Sequence, residues 1–282
     1  HTQAPTDVTA QSPPIARRSH PGRPRLRLPR VNERLAFGAL GFLIVLPLWE
    51  LVVQLELVKR VTLSSPSLIL EAAIEDLVTR GTLWPHIFQS SQQFVLGLGL
   101  ALLTGVPLGL ALGMFRRLNY LLDPWLSAIY ATPTIALVPL IVLVLGLGLE
   151  SKIFIVWLEA IFVIVVSTMA GVHAAEARYL DLARSFRASK WLTFRSVILP
   201  SSFPFILTAL RLGTTRGVVG VVVAEFFAAN KGIGFFINFS GTTLRTDRVM
   251  LGVIILGLLG LVMGEAVRRL EKRFERWRPD IN

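Results

Sequence analysis

Residues 179–200 read YLDLARSFRASKWLTFRSVILP. Tyr179, Leu182, Ala183 and Phe186 recur at i, i+3, i+4 and i+7, the stripe of a helix that buries one face. Arg184, Arg187, Lys190 and Arg195 make the rest of the stretch basic, yet the chain on either side is almost pure hydrocarbon. What such a helix can do depends on which side of a membrane it occupies.

The 282 residues are 53% hydrophobic with a mean hydropathy of +0.62, and only 17% are charged. Soluble domains carry roughly 25% charged residues. Apolar runs near the bilayer-spanning length of about 20 residues occupy residues 36–54, 88–114, 121–147, 153–172, 206–229 and 249–267. None alternates as a barrel strand would. The expectation is an all-α polytopic membrane protein with six transmembrane helices over residues 35–282. Residues 1–34, rich in proline and with seven arginines, read as a disordered basic tail. Gly97, Gly99, Gly105, Gly109 and Gly113 in the second run let helices approach closely.

With the amino terminus in the cytoplasm, the inner segments hold twenty Lys and Arg and the outer ones seven, the bias expected of that orientation. Both termini and the loop 173–200 are then cytoplasmic. The net charge of +11 follows from this topology, so nucleic-acid binding loses its support. The helix at 179–190 either lies on anionic lipid or docks into a groove on a partner protein. One outer loop reads as a short amphipathic helix, with Ser65 as N-cap, Pro66 in the first turn, Ile69, Ala73 and Leu77 on one face and Gly81 at its end.

The absence of cysteine excludes disulfides and thiolate chemistry. Four scattered histidines and the lack of a Ser–His–Asp or paired-carboxylate constellation argue against a metal site and against an enzyme. The chain has no G-x-x-x-x-G-K-[ST] segment, so it binds no ATP of its own through a P-loop.

Polar groups inside the apolar runs are candidates for a solute route. Glu159 is expensive in a bilayer and faces a cavity, pairs with a neighbouring helix or carries a proton. Arg216 could meet an anion or Glu225, and Glu225 itself suits an interhelical bond. Pro133 and Pro139 free backbone carbonyls and invite a kink, which makes Tyr130, Thr132 and Thr134 further candidates. Arg211 suits a bracing role near the cytoplasmic edge.

The loop also resembles the coupling loop of ABC-importer permeases. Asp181-Leu182-Ala183 stands for the family's Glu-Ala-Ala element, Arg187 occupies its glycine position, and Val197-Ile198-Leu199-Pro200 supplies its ending at the same spacing. LDPWLSAIYATPTIALVPLIVLVLGLG, ILTALRLG and VVAEFFAANKGIGFFI resemble the branch that handles nitrate, sulfonates, taurine, bicarbonate and pyrimidine precursors, and the likeness covers about residues 64–273. Two departures stand out. Arg187 replaces a glycine that would permit positive φ, so the turn is either made in right-handed geometry or bends differently. Tyr130-Ala131 replaces an arginine and a proline frequent in relatives.

The resemblance implies a type I permease fold in the cell inner membrane, working as a homodimer that moves a small solute. It implies two cytosolic ATPases that bind ATP and magnesium, and an extracytoplasmic binding protein. Tyr179, Asp181, Leu182, Ala183, Phe186, Arg187, Leu199 and Pro200 would form the ATPase dock. The competing reading is an ATPase-independent secondary transporter or channel, which would more often show an internal repeat.

Overall fold

The computed structural model describes residues 33–59, 62–175 and 177–275, all helix and connecting turns without a strand. The expected tail lies outside these residues, apart from its last two. The chain divides after Val45 into two units, and the described residues of the first are the beginning of helix α1, Glu33–Gln54.

In the second unit, α2 (Pro66–Ala73) starts as its sequence dictates: Ser65 Oγ accepts from the Leu68 N–H, and Pro66 stands in the first turn, where no N–H is needed. A wider π-helical turn, Ile74–Thr79, carries the helix on to Gly81, whose φ of 65° ends it. The Glu50 carboxylate of α1 accepts from the N–H and hydroxyl of Ser67.

Three long helices form the core: α3 (Leu83–Met114), α6 (Leu149–His173) and α9 (Leu199–Ala228). Phe94, Leu98, Ala101, Val156, Ile164 and Val221 pack between them. Close approach rests on glycine. A Cβ on Gly97 would stand 2.5 Å from Val156, and one on Gly113 2.5 Å from Val172. At the far end α2 packs with α10 (Ile233–Thr242) and α11 (Thr246–Glu275) around Ile69, Leu83, Ile233 and Leu251. Asp76 and Glu75 hold Arg248 of α11 there, at 2.5 and 3.0 Å, a pairing across more than 170 residues.

The expected span at 121–147 is two helices. α4 (Arg116–Ala131) and α5 (Thr134–Leu145) meet at 99°. Thr132 is forced extended by the following proline, with ψ of 124°, so the helix must stop there rather than merely kink. Pro139 is absorbed inside α5.

Six spans were expected. Among the described residues four helices are long and apolar enough to cross a membrane: Leu83–Met114, Leu149–His173, Lys190–Phe227 and Thr246–Arg273. The bent α4–α5 pair would be a fifth, while the apolar part of α1, Leu40–Gln54, is shorter. The third of the four begins well before residue 206, since α8 (Lys190–Thr193), a π-helical turn at Phe194–Ile198 and α9 run on without a break. Pro200 does not end a helix here; it falls in the first turn of α9, after the widened turn.

Candidate functional site

Pro133 breaks the helix, and the break opens a cavity of about 280 Å³ between the α4–α5 corner, α6 and α9. Tyr130, Thr132 and Thr134 line it from the corner, Glu159 from α6 and Arg216 from α9. Five of the six residues expected along a solute route therefore share one cavity. Leu137, Leu158 and Phe162 give it an apolar wall. Neither Glu159 nor Arg216 forms an ion pair among the described residues.

A second, smaller cavity of about 80 Å³ adjoins the first, and Tyr130 and Phe162 belong to both. Their ring centroids are 6.1 Å apart. Asn119, Asp123 and Ser127 line the second cavity from α4. These three escaped the sequence reading, although their spacing of four residues is the signal of one helix face.

Glu225, the sixth candidate, lies elsewhere. It is 1% exposed and is not part of either cavity wall. Its Oε1 accepts from Ser90 Oγ at 2.7 Å and its Oε2 from the Gly234 N–H at 2.7 Å. Ser90 Oγ in turn accepts from the Ile233 N–H at 2.9 Å, and His86 Nδ1 lies 3.0 Å from both the nitrogen and the carbonyl oxygen of Gly232. The N–H groups at the start of α10, which have no partner within the helix, are thus satisfied by side chains of α3 and α9, with a carboxylate at the positive end of the helix dipole. The sequence GIG follows from this. Gly232 has φ of 124°, and a Cβ there would overlap the Glu225 carboxyl at 2.2 Å; one on Gly234 would press on Glu225 Cβ at 2.8 Å. The sequence reading missed His86 and Ser90, although their spacing of four residues on an apolar helix puts two polar groups on one face.

Arg211 pairs with the buried Glu271 of α11, a bracing contact between helices.

The loop closes a groove of about 270 Å³. Tyr179, Leu182, Ala183 and Phe186 line one side, and Leu192 and Val197 the other. Leu199 and Pro200 lie just beyond it in α9. Asp181 and Arg187 are exposed and not part of its lining.

Arg187 settles the turn that its sequence left open. Its φ is 49°, and the Ala188 N–H donates to the Ala183 carbonyl at 2.9 Å, the six-to-one bond of a Schellman cap with arginine where glycine is usual. Ser189 then caps the next helix through the Leu192 N–H. The left-handed region costs a non-glycine residue roughly 1–2 kcal/mol. Arg187→Gly is therefore expected to stabilise the turn by about 1 kcal/mol, read as slower amide exchange at residues 186–189. Faster or unchanged exchange would show that the arginine side chain holds the turn by its own contacts.

Residues 105–276 match the family described as binding-protein-dependent transport system inner membrane component. The chain belongs to this family. The taurine transport system permease protein TauC of Escherichia coli (strain K12) is 31% identical over 272 residues, covering 95% of this chain and 98% of that one. The putative aliphatic sulfonates transport permease protein SsuC of Bacillus subtilis (strain 168) is 29% identical, covering 83% and 85%. Among solved structures, an amino acid ABC transporter with histidines superposes with a TM-score of 0.57 at 18% identity, over 70% of this chain and 96% of that one. The inward-facing MetNI methionine ABC transporter gives 0.54 at 17%, over 67% and 97%. This permease is thus a multi-helix membrane subunit of an ABC importer with the type I fold, related to the sulfonate and taurine branch, and not an enzyme.

Proposed function

We propose that this permease forms the translocation pathway through the cavity at the Pro133 break and is driven by ATPases docked in the loop groove. One observation carries the reading. Lys190–Phe227 is a single helix, with the groove residues Leu192 and Val197 at one end and the cavity residue Arg216 further along it. A force applied to the groove moves that helix as a rigid body, and the cavity wall moves with it. The shared ring pair Tyr130–Phe162 would separate the solute from the second cavity and from the cytoplasm until that movement.

In this reading residues 173–200 are the coupling loop on the cytoplasmic side of the inner membrane, with both termini on that side as well. The apolar part of α1 completes a sixth span. A second copy of the chain covers the exposed α4–α5 corner, lipid surrounds the dimer, and an extracytoplasmic binding protein delivers the solute. The names of the relatives, which mention taurine, aliphatic sulfonates and formylaminopyrimidine, favour a small polar solute.

Leu182→Asp and Phe186→Asp would place a charge in the apolar groove. Each is expected to abolish co-purification of the ATPase and ATP-driven uptake in proteoliposomes, while the isolated permease melts as the wild type does. Solute uptake by the permease alone, without ATP, would overturn the importer reading in favour of a secondary transporter.

A further inference from the structure

We propose that the cavity at the Pro133 break takes a compact zwitterion, with its cationic group toward Glu159 and its anionic group toward Arg216. The inference rests on the reading of this cavity as the solute route and adds the class of solute. Two charges of opposite sign enter the same cavity from α6 and α9. Neither has a hydrogen bond or ion pair among the described residues. Glu159 is half-buried and Arg216 exposed, whereas three buried charges elsewhere are matched from within: Glu225 by Ser90 and the Gly234 N–H, Glu271 by Arg211, Arg248 by Asp76.

A charge at membrane depth needs a partner or water. Here the two counter-charges can come from one ligand. A plain anion would satisfy Arg216 but be repelled by Glu159; a plain cation would meet the reverse. A zwitterion answers both at once. The hydroxyls of Thr132, Thr134 and Tyr130 offer further hydrogen bonds beside the charges, and Leu158 and Phe162 suit a short hydrocarbon spacer. A volume of about 280 Å³ lies at the lower limit of small-molecule pockets, which restricts the ligand to a few carbons between its charges.

The test is direct binding to the permease–ATPase complex in lipid nanodiscs without the binding protein, so that no other subunit selects the ligand. The probes are two near-isosteric pairs: 2-aminoethanesulfonate with 2-hydroxyethanesulfonate, and 3-aminopropanoate with 3-hydroxypropanoate. A charge-assisted hydrogen bond supports about a tenfold difference or more, so each amine is expected to bind at least tenfold tighter than its hydroxyl partner. Glu159→Gln is expected to erase that difference and Arg216→Gln to weaken both amines. The wild-type comparison stands whether or not the variants fold. Equal binding within each pair, no binding of any probe, or a preference that survives Glu159→Gln overturns the zwitterion assignment. ATP-driven uptake that persists with such a result leaves the pathway reading intact; loss of ATPase association strikes that reading instead.

Discussion

Glu225→Ala is expected to lower the stability of the permease by about 2–5 kcal/mol. Two donors lose their acceptor, Ser90 Oγ–H and the Gly234 N–H, in a buried site. A buried polar group left unpaired costs about 1–3 kcal/mol, and removing the side chain opens a void against Gly232 and Gly234. Glu225→Gln should be milder. Its amide oxygen can still accept from Gly234, and its NH₂ can donate to the Ser90 oxygen. Thermal unfolding in detergent ranks the three proteins, and amide exchange at Ile233 and Gly234 locates the damage. An alanine variant as stable as the wild type would refute the capping role. Because the cap ties α10 to both α3 and α9, its loss should also loosen two of the three core helices.

The second large effect concerns the seam between α3 and α6. A Cβ on Gly109 would stand 2.7 Å from the Val165 carbonyl oxygen and 2.7 Å from Thr168 Cβ. Backbone cannot rotate away as a side-chain end can, so Gly109→Ala must push the helices apart. Overpacking of this kind costs about 1–3 kcal/mol, and Gly109→Val should cost more. The same displacement would shift Phe162 and Glu159, which α6 presents to the cavity. Gly99 lies in the same helix with nothing within 4 Å of its would-be Cβ. Alanine there is expected to be neutral or to stabilise by up to about 1 kcal/mol through helix propensity. Melting curves of the three variants decide the matter: if Gly99→Ala and Gly109→Ala fall equally, glycine in this helix serves something other than close approach.

Much of the permease was legible in its sequence because the signals are local. Hydrophobic runs of spanning length, the Ser65–Pro66 helix start, the stripe Tyr179, Leu182, Ala183 and Phe186, and a bend near Pro133, though not a full break, all depend on residues a few positions apart. Composition and periodicity state these directly. Even the candidates followed from local rules: Glu159 and Arg216 from the cost of a charge in an apolar helix, and Tyr130, Thr132 and Thr134 from the kink that Pro133 and Pro139 invite.

What sequence alone could not decide is everything set by contacts between distant segments. Glu225, which suited an interhelical bond, and Glu159, which suited a route, were both candidates by the same rule. Only packing shows that one caps α10 through Ser90 and Gly234 while the other stands unpaired in a cavity with Arg216. The two are chemically the same carboxylate, separated by their neighbours. Arg187 is the reverse case. Its side chain argued against a left-handed turn, but the Ala188–Ala183 bond and the helix that starts at Ser189 hold it at a φ of 49°. The hydrogen bonds and packing on both sides of that turn together outweigh a strain of roughly 1–2 kcal/mol. Local preference sets which elements form; the balance of contacts among them decides where each charge ends and which turn survives.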